Sequence, residues 1–277
     1  MNSPMDKYAV FGHPITQSKS PQIHQKFAES TQQNIEYTAI DPGPDNFEKG
    51  IQQFVAAGGK GCNITMPFKQ QAYKLAGQLS ERAKLAGAVN TLTFHSDGTI
   101  SGDNTDGAGL VNDLLANGAK LNKKVLLIGA GGAARGVIKP LLDCQPELLI
   151  IVNRTHEKAE LLADKFQAFG NIHALSITEL AAKHSFDVII NSSSTSLTGE
   201  LPPVPPSIFS AGCFAYDMVY QDKPTCFLTW AAEHGATTIV DGLGMLVGQA
   251  AESFRVWRGV EPAKEPVLTM LRAELTS

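Results

Sequence analysis

The stretch V-L-L-I-G-A-G-G-A-A-R, from Val125 to Arg135, is the strongest indication of the fold of this 277-residue chain. It opens with four apolar residues in a row, which is typical of a strand covered on both faces of a parallel sheet. The next residues follow the pattern G-x-G-x-x-A. Gly129 permits a tight turn, Gly131 lets a pyrophosphate approach the backbone, and the small Ala134 allows close packing of helix on strand. The sequence therefore predicts a dinucleotide site where this strand enters a helix.

The residues after the next apolar strand, Leu148–Val152, indicate which dinucleotide is bound. NAD sites of this type carry a carboxylate there for the ribose hydroxyls. This chain has Asn153 and Arg154 instead, and a guanidinium suits the 2′-phosphate of NADP. Lys158 adds positive charge, and Thr155 is expected to cap the following helix while its hydroxyl reaches the phosphate. The prediction is an NADP site; the alternative is that Arg154 is a solvated arginine at a strand end.

The rest of this half continues the alternation of strands and helices. A capping box, Ser176 and Glu179, marks a helix start near Ile177. The proline-rich run at 201–206 is expected to be an extended loop. Further strands are predicted at Asp187–Asn191, Cys213–Asp217 and Thr237–Val240. Successive βα units of this kind indicate a parallel sheet.

The first third of the chain repeats that alternation on a smaller scale. Ser20-Pro21 is a helix start in which the serine hydroxyl is expected to cap a free N–H. The turn Ser96-Asp97-Gly98 predicts a hairpin, and a helix is expected from about Asp106 to Asn117. Strands are predicted at Tyr8–Phe11, Ile35–Ile40 and Gly61–Met66, and a second helix at Phe47–Val55. We expect two α/β domains, 1–105 for substrate and 106–241 for cofactor, followed by C-terminal helices at 242–277.

Composition limits the partners and the compartment. A hydrophobic content of 43% and a charged content of 18% are typical of a folded protein. The net charge of −4 gives no sign of the basic surface that nucleic-acid binding requires. The four cysteines have no disulfide or metal spacing, so reduced, individually buried thiols and no metal are expected. No apolar leader or long apolar run occurs. A cytoplasmic protein that uses no membrane is expected.

Three polar stretches in the first domain are candidates for chemistry. They are Gln17–Ser20, Asn63–Thr65 with Lys69, and Gly102–Gly107. Hydroxyls and amides of this kind suit a polyol or a carboxylate, and Lys69 with Asp106 would form an acid–base couple, since burial can adapt a lysine to proton transfer. Taken singly, each has a structural explanation: Ser18 and Ser20 as helix-entry residues, Asp106 as an N-cap, Lys69 as a surface charge.

Taken together, these motifs resemble the shikimate dehydrogenase family. The resemblance runs from Tyr8 to about Trp257 with the motifs in the same order. The matching motifs are Y-A-V-F-G-H-P-I-T-Q-S-K-S-P-Q-I-H (8–24), N-I-T-M-P-F-K (63–69), A-G-A-V-N-T (86–91), G-D-N-T-D-G (102–107), G-A-G-G-A (129–133), N-R-T (153–155), Y-D-M-V-Y (216–220) and D-G-L-G-M-L-V-G-Q-A (241–250).

The resemblance implies NADPH-dependent, reversible reduction of 3-dehydroshikimate to shikimate in aromatic amino-acid biosynthesis, with Lys69 as proton donor and acceptor beside Asp106. It implies a substrate site of Ser18, Ser20 and Thr65 on the carboxylate, Tyr220 nearby, Asn90, Asp106 and Gln249 on the ring hydroxyls, and Asn63 and Thr105 in support. The implied cofactor residues are Gly129, Ala130, Gly131, Gly132, Ala133, Asn153, Arg154, Thr155, His156, Glu157, Lys158, Met218 and Gly242, with Glu81 as a further contact.

The family pattern also implies a layout. Its C-terminal helices return to the first domain, the active site lies in the cleft between the domains, and hinge closure over both ligands is expected. A monomer or homodimer is expected. One departure is the loop Asn191-Ser-Ser-Ser194, where N-A-T-S is common; cofactor binding is expected to survive it.

Other classes fit less well. Short-chain dehydrogenases need Y-x-x-x-K, which no tyrosine here provides, and zinc alcohol dehydrogenases need a Cys/His metal set. A quinate/shikimate dehydrogenase of broader substrate and cofactor use stays open, although an NAD-preferring one should carry an acid near Arg154. A non-catalytic ligand sensor on the same fold should have lost Lys69 or Asp106, and both are present.

Overall fold

The computed structural model describes residues 5–180 and 185–276 and divides the chain into two compact units. The first unit contains the described residues up to Gly109 together with Val247–Thr269. The second contains Leu110–Leu246 and the residues from Met270 onward. The chain therefore enters the second unit at Leu110, returns to the first at Val247, and enters the second again at Met270.

The first unit is built on a six-stranded mixed sheet with the strand order β2-β1-β3-β5-β6-β4. The pairs β1–β2, β1–β3 and β4–β6 are parallel, and β3–β5 and β5–β6 are antiparallel. Its strands are β1 (Asp6–Phe11), β2 (Ile35–Ile40), β3 (Gly59–Ile64), β4 (Gln78–Leu79), β5 (Thr91–Phe94) and β6 (Ile100–Asp103). Its helices are α1 (Ser20–Thr31), α2 (Phe47–Ala56), α3 (Lys69–Leu75) and α4 (Glu81–Ala86). The expected hairpin is the β5–β6 pair.

The second unit is a fully parallel six-stranded sheet with the order β12-β11-β10-β7-β8-β9. That order is the doubly wound dinucleotide-binding arrangement, in which the ligand binds beyond the carboxyl ends of the strands. Its strands are β7 (Lys124–Ile128), β8 (Leu148–Val152), β9 (Ile172–Leu175), β10 (Phe186–Asn191), β11 (Phe209–Asp217) and β12 (Thr238–Asp241). Its helices are α6 (Gly132–Asp143), α7 (His156–Phe166), α8 (Ile177–Leu180) and α9 (Cys226–Glu233). The predicted fold class is confirmed.

Three helices contribute residues to both units. They are α5 (Asp106–Ala116), α10 (Leu243–Arg258) and α11 (Glu265–Leu275). Only the first few residues of α5 belong to the first unit. Most of α10, from Val247 onward, belongs to the first unit as well. Within the first unit, Trp257 near the end of α10 donates its indole N–H to the Leu92 carbonyl at 3.1 Å and stacks on Tyr8 with ring centroids 4.7 Å apart.

Apolar side chains fill the space around each sheet separately. In the first unit Phe11, Phe47, Ile64 and Phe68 are at most 2% exposed and belong to one cluster. In the second, Leu126, Ile150, Ile189 and Ala215 on four neighbouring strands are nearly inaccessible to water. Continuous apolar strands of this type are what a sheet covered on both faces requires.

Several local expectations are corrected. Ser20 is the first residue of α1 rather than its cap; Lys19 holds the cap position and makes no side-chain capping bond there. Thr155 does hold the cap position of α7, but its hydroxyl makes no capping bond. Cys144 and Cys226 are only partly buried, although all four cysteines are free thiols as expected. The capping box of Ser176 and Glu179 is confirmed, with reciprocal hydrogen bonds of 2.8 and 3.2 Å.

Among the described residues, no helix is both long enough and apolar enough to cross a membrane.

Candidate active site

An ammonium–carboxylate pair lies at the centre of the polar cluster in the first unit. Lys69 Nζ is 2.6 Å from Asp106 Oδ2, and the two side chains are 27% and 9% exposed. Lys69 is the first residue of α3 and Asp106 is the first residue of α5, so the backbone of each residue is held at the start of a helix. Such a pair can hold a proton at one atom and stabilise the charge on the other as the proton moves.

Asn90 joins this pair to its neighbours. Its Nδ2 donates to Asp106 Oδ1 at 2.8 Å and to Thr105 Oγ1 at 2.9 Å, and lies 3.5 Å from Gln249 Oε1. Its Oδ1 accepts from the Thr105 backbone N–H at 2.9 Å. One buried amide therefore fixes the orientation of the carboxylate and of the loop that precedes it.

The loop before Asp106 is held by a second amide. Asn104 Oδ1 accepts from the Asp106 backbone N–H at 3.2 Å, and its Nδ2 donates to the Ala88 carbonyl at 3.1 Å. Side chains of this type satisfy the free N–H groups at a helix start. Asp106 therefore does not need to cap its own helix, which leaves its carboxylate for Lys69 and Asn90.

Asn63, near the end of β3, is hydrogen-bonded to this cluster through Asn90. Its Oδ1 accepts from Tyr37 Oη at 2.7 Å and from His24 Nε2 at 3.1 Å. Its Nδ2 donates to Ser253 Oγ at 2.9 Å and to the Asn90 carbonyl at 3.2 Å. All of these groups are buried, so each bond replaces one that water would otherwise make.

His24 is a neutral base in the interior of the first unit. Burial lowers the pKa of its imidazole to about 3, against a smaller opposing effect of the hydrogen bond to Asn63. The ring stacks on Tyr37 with centroids 4.2 Å apart. Because Nε2 donates to Asn63, Nδ1 carries no hydrogen, and it has no hydrogen-bond partner among the described residues.

The residues expected to bind the substrate carboxylate follow β1 and β3 along the chain. Thr65 directly follows β3, and its methyl group packs so tightly on Gly12, beyond β1, that a Cβ there would be only 2.5 Å away. Ser18 Oγ accepts from the Ser20 backbone N–H at 3.3 Å. The Ser20 hydroxyl hydrogen-bonds Tyr37, which in turn reaches Asn63. The two halves of the polar cluster are thus linked through Tyr37.

The glycine turn of the second unit has the shape that a pyrophosphate needs. Gly129 has φ +112°, and a Cβ there would lie 2.5 Å from Ser192 Oγ. Gly131 is the cap residue of α6, and a Cβ on Gly131 or Gly132 would meet no atom within 4 Å. Gly131, Gly132 and Ala133 are exposed at the helix start. Open space before free backbone N–H groups fits an anionic group.

Asn153 connects this turn to the next. Its Oδ1 accepts from the Ala130 backbone N–H at 3.2 Å and its Nδ2 donates to the Thr155 carbonyl at 2.8 Å. The side chain that occupies the position of the usual carboxylate therefore braces the two loops. An amide can do so at both ends because it is donor and acceptor together.

The basic residues expected at the 2′-phosphate are open to solvent. Arg154 and Lys158 are exposed at the start of α7, and within residues 5–180 and 185–276 neither forms an ion pair. Of their neighbours in the expected set, His156 has its Nε2 3.3 Å from Glu160, and Glu157 is exposed on the first turn.

Met218 and Gly242 approach each other closely in the second unit. A Cβ on Gly242 would lie 2.1 Å from the Met218 carbonyl, and the Gly242 N–H donates to the Val219 carbonyl at 3.2 Å. Tyr220 belongs to the same segment after β11, and burial raises the pKa of its phenol. Glu81, the remaining expected cofactor contact, is the first residue of α4 in the first unit.

A buried carboxylate organises the loops around Met218. Asp217 is inaccessible to water and accepts from Ser196 Oγ at 2.5 Å, Thr225 Oγ1 at 2.6 Å and the Val219 N–H at 3.1 Å. Burial raises the pKa of this carboxyl, opposed by those hydrogen bonds. In the loop 191–194, which differs from the family pattern, Ser193 Oγ donates to Asn191 Oδ1 at 2.6 Å.

Sequence reasoning missed several partners of the expected site residues. His24, Tyr37, Thr91 and Ser253 all bond to Asn63 or Asn90. One signal was available: Ser253 follows Gln249 by four residues and therefore shares its helix face. For His24 and Tyr37 the sequence offered no signal, because their contacts to Asn63 join different strands and helices.

Comparisons with known proteins agree with this geometry. Three family models match: the shikimate dehydrogenase substrate binding domain at residues 10–92, shikimate / quinate 5-dehydrogenase at 114–198, and the shikimate 5′-dehydrogenase C-terminal domain at 242–271. The NADP(+) shikimate dehydrogenase of Vibrio cholerae is 55% identical over 99% of both chains.

Solved structures give the same result. An Ael1 enzyme from Pseudomonas putida is 44% identical, with a TM-score of 0.91 over 96% of this chain and 98% of its own. Shikimate 5-dehydrogenase from Thermus thermophilus, solved with NADP(H) and shikimate, is 31% identical, with a TM-score of 0.86 over 98% of this chain and all of its own (100%). The chain belongs to the shikimate dehydrogenase family.

Proposed function

We propose that this chain catalyses the reversible, NADPH-dependent reduction of 3-dehydroshikimate to shikimate, in aromatic amino-acid biosynthesis. The observation that carries the proposal is the Lys69–Asp106 pair at 2.6 Å, held by Asn90 in a polar cluster. The 55% identity to an NADP(+) shikimate dehydrogenase supports it over nearly the full length.

Reduction of a ketone needs a hydride at the carbonyl carbon and a proton at the oxygen. NADPH supplies the hydride when it is bound. Lys69 supplies the proton to the developing alkoxide, and it takes the proton back from the hydroxyl in the oxidation of shikimate. Asp106 stabilises the Lys69 ammonium and accepts a hydrogen bond from a ring hydroxyl. A positioned acid–base group of this kind contributes roughly 10²- to 10⁴-fold to the rate.

The other proposed substrate residues, most of them in the first unit, bind the substrate in this proposal. Asn90 and Gln249 bind ring hydroxyls, since an amide can both donate and accept. Asn63 and Thr105 hold them in place through the buried bonds described above. The substrate carboxylate is bound by Ser18 and Ser20, at the start of α1, and by Thr65, directly after β3, with Tyr220 as a further contact.

The second unit binds NADP. The open space at Gly131 and Gly132 receives the pyrophosphate, and the exposed cations Arg154 and Lys158 receive the 2′-phosphate. Asn153 acts mainly as a brace between the two loops, given its bonds to Ala130 and Thr155. Ala130, Ala133, Thr155, His156, Glu157, Met218 and Gly242 complete the proposed cofactor site, and Glu81 is a further contact.

The domain boundaries proposed for this function are 1–105 for substrate, 106–241 for cofactor and 242–277 for the C-terminal helices. We place the enzyme in the cytoplasm, where its four free thiols suit a reducing compartment. It works as a monomer or homodimer, which analytical ultracentrifugation would distinguish.

The test is NADPH oxidation by the pure protein on addition of 3-dehydroshikimate, followed by absorbance. Steady-state rates on shikimate and quinate with NADP and NAD, each in separate reactions, then define specificity. The expected result is a strong preference for shikimate with NADP. A preference for quinate with NAD would replace the proposal by a quinate/shikimate dehydrogenase of broader use.

A further inference from the structure

One arginine outside the expected site binds two carboxylates, of which one is three residues before Asp106 and the other is on the helix that carries Gln249. Arg82, on α4, donates from Nε and Nη2 to the two oxygens of Asp103, both at 2.6 Å. Its Nη1 donates to Glu252 Oε1 at 2.9 Å. A two-point contact between a planar guanidinium and a carboxylate fixes both position and angle, which a lysine cannot do.

The Asp103 end of this contact controls the loop that leads to Asp106. Asp103 is the last residue of β6 and lies three residues before Asp106. Its carboxylate also accepts from Ser80 Oγ at 2.5 Å and from the Asn104 backbone N–H at 2.7 Å. With the two arginine bonds, four donors converge on this carboxylate, so the backbone enters Asn104 and Asp106 from a fixed point.

The Glu252 end controls the helix that carries Gln249. Glu252 is on α10, three residues after Gln249 and directly before Ser253. Residues three apart lie on neighbouring positions of a helix surface. The hydrogen bond from Arg82 to Glu252 therefore also limits the rotation of the helical turn that carries Gln249. Ser253, held by Asn63, restrains the same turn from the buried side.

The cluster is balanced in charge and partly shielded from water. The side chains of Arg82, Asp103 and Glu252 are 30%, 17% and 15% exposed. Arg255 is the other cation, 2.8 Å from Glu252 on its solvent side. Burial alone would raise the pKa of Asp103, but hydrogen bonds from Arg82 and Ser80 lower it, so the carboxylate is charged. Without Arg82, Asp103 would lose its only cation among the described residues.

We propose that Arg82 is a positioning residue for the reaction, which sets Asp106 through Asp103 and Gln249 through Glu252. Arg82 itself belongs to neither proposed set of ligand-binding residues. This inference rests on the proposed function, because Asp106 and Gln249 matter only if the first unit binds shikimate. Small displacements of such groups are costly, since a shift of about 1 Å can reduce a rate about 10²-fold.

The test compares Arg82→Gln with Arg258→Gln. Arg258 is a matched control: it also lies in the first unit, is 19% exposed, and binds Asp6 and Gln33 at 2.5 and 2.8 Å, but none of its partners adjoins a proposed substrate residue. For Arg82→Gln we expect kcat/KM for shikimate to fall about 10²-fold, with the KM for NADP nearly unchanged. For Arg258→Gln we expect a loss of thermal stability without that selective loss.

Two further variants separate the two ends of the contact. Arg82→Lys keeps a cation beside Asp103 and should recover part of the activity without restoring the two-point contact. Glu252→Gln weakens the α10 end, together with the Arg255 ion pair, but leaves the Asp103 end intact, and should raise the KM for shikimate more than it lowers kcat. Both also keep the proposal testable if Arg82→Gln does not fold.

Equal losses of kcat/KM in Arg82→Gln and Arg258→Gln, or equal increases in KM for shikimate and NADP in Arg82→Gln, would overturn the positioning role. If Arg82→Gln yields no folded protein, full shikimate turnover in both Arg82→Lys and Glu252→Gln would overturn it as well. A wild-type protein that does not interconvert shikimate and 3-dehydroshikimate would instead overturn the proposed function, and this inference with it.

Discussion

The Lys69 ammonium and the Asp106 carboxylate are 2.6 Å apart, at the first residues of two different helices. Lys69 is fixed by α3 and Asp106 by α5, and Asn90 donates to the second oxygen of that carboxylate. The two backbones are therefore held by separate helices, and the carboxylate is held by donors on both of its oxygens, which suits proton transfer at a defined atom.

Replacement of Lys69 by Met should lower kcat for shikimate oxidation by roughly 10²- to 10⁴-fold, because the group that accepts the proton is lost. The KM for shikimate should change much less. Lys74→Met is the matched control, since Lys74 is exposed in the last turn of the same helix. Steady-state kinetics of both variants check this, and a nearly unchanged kcat in Lys69→Met would contradict the catalytic role.

Arg154→Asp should weaken NADPH binding sharply, because a carboxylate repels the 2′-phosphate that the guanidinium is proposed to bind. The affinity for NADH, which lacks that phosphate, should not fall in parallel. Fluorescence titration with each cofactor measures both effects, and Arg154→Lys should be intermediate. Equal affinities of wild type and Arg154→Asp for NADPH would make Arg154 an ordinary surface arginine.

Two glycines of the same turn should respond differently to alanine. A Cβ on Gly131 meets no atom within 4 Å, so Gly131→Ala should fold with unchanged stability but lose NADPH affinity, because the methyl group fills the space proposed for the pyrophosphate. A Cβ on Gly129 would lie 2.5 Å from Ser192 Oγ, at φ +112°. Gly129→Ala should therefore cost at least about 1 kcal/mol of unfolding free energy.

Chemical denaturation and cofactor titration of these two variants provide the comparison. If Gly131→Ala binds NADPH as tightly as the wild type, the pyrophosphate does not approach this residue. If Gly129→Ala is as stable as the wild type, the turn has relaxed away from Ser192.

His24 should make stability depend on pH. Burial lowers the pKa of its imidazole to about 3 in the folded state, whereas an unfolded histidine titrates near 6.5. Between these values the unfolded chain binds a proton that the folded chain excludes, so the free energy of unfolding falls as the pH falls. The contribution is about 1.4 kcal/mol per pH unit across that window.

His24→Gln should remove the His24 contribution to the pH dependence of the free energy of unfolding. The glutamine amide still provides a donor for Asn63. Unfolding by urea at several pH values between 4 and 6.5, roughly the window above, measures that pH dependence for both proteins. The variant is expected to be less stable than the wild type near neutral pH, so the slope and not the absolute value is the readout. Parallel curves would mean that His24 takes up a proton in the folded state too.

The parallel sheet of the second unit could be predicted from sequence because its signals are local. A continuous apolar strand, a glycine turn and a helix start follow one another between Val125 and Arg135. The strands β7, β8, β10, β11 and β12 were expected close to where they lie. The short edge strand β9 was missed, since Ile172–Leu175 has a histidine and too few residues to form a clear pattern.

The cofactor preference could also be derived from residues near in sequence, because Asn153 and Arg154 directly follow a predicted strand. The tertiary structure shows in addition that the Asn153 side chain hydrogen-bonds both Ala130 and Thr155. The expected capping by Thr155 was wrong, as was that by Ser20. Capping depends on the rotamer and loop geometry that tertiary packing selects, and residue type alone does not define them.

Local patterns in the sequence were enough to predict the two α/β units, the glycine turn and the set of polar residues around Lys69. They could not predict that Asn90 bonds to Asp106, that His24 and Tyr37 both bond to Asn63, or that Arg82 binds both Asp103 and Glu252. The reason is physical. Periodicity and turn signals arise between residues a few positions apart, whereas Arg82 and Glu252 are separated by 170 positions. Their contact exists only because folding brings α10 beside the sheet of the first unit.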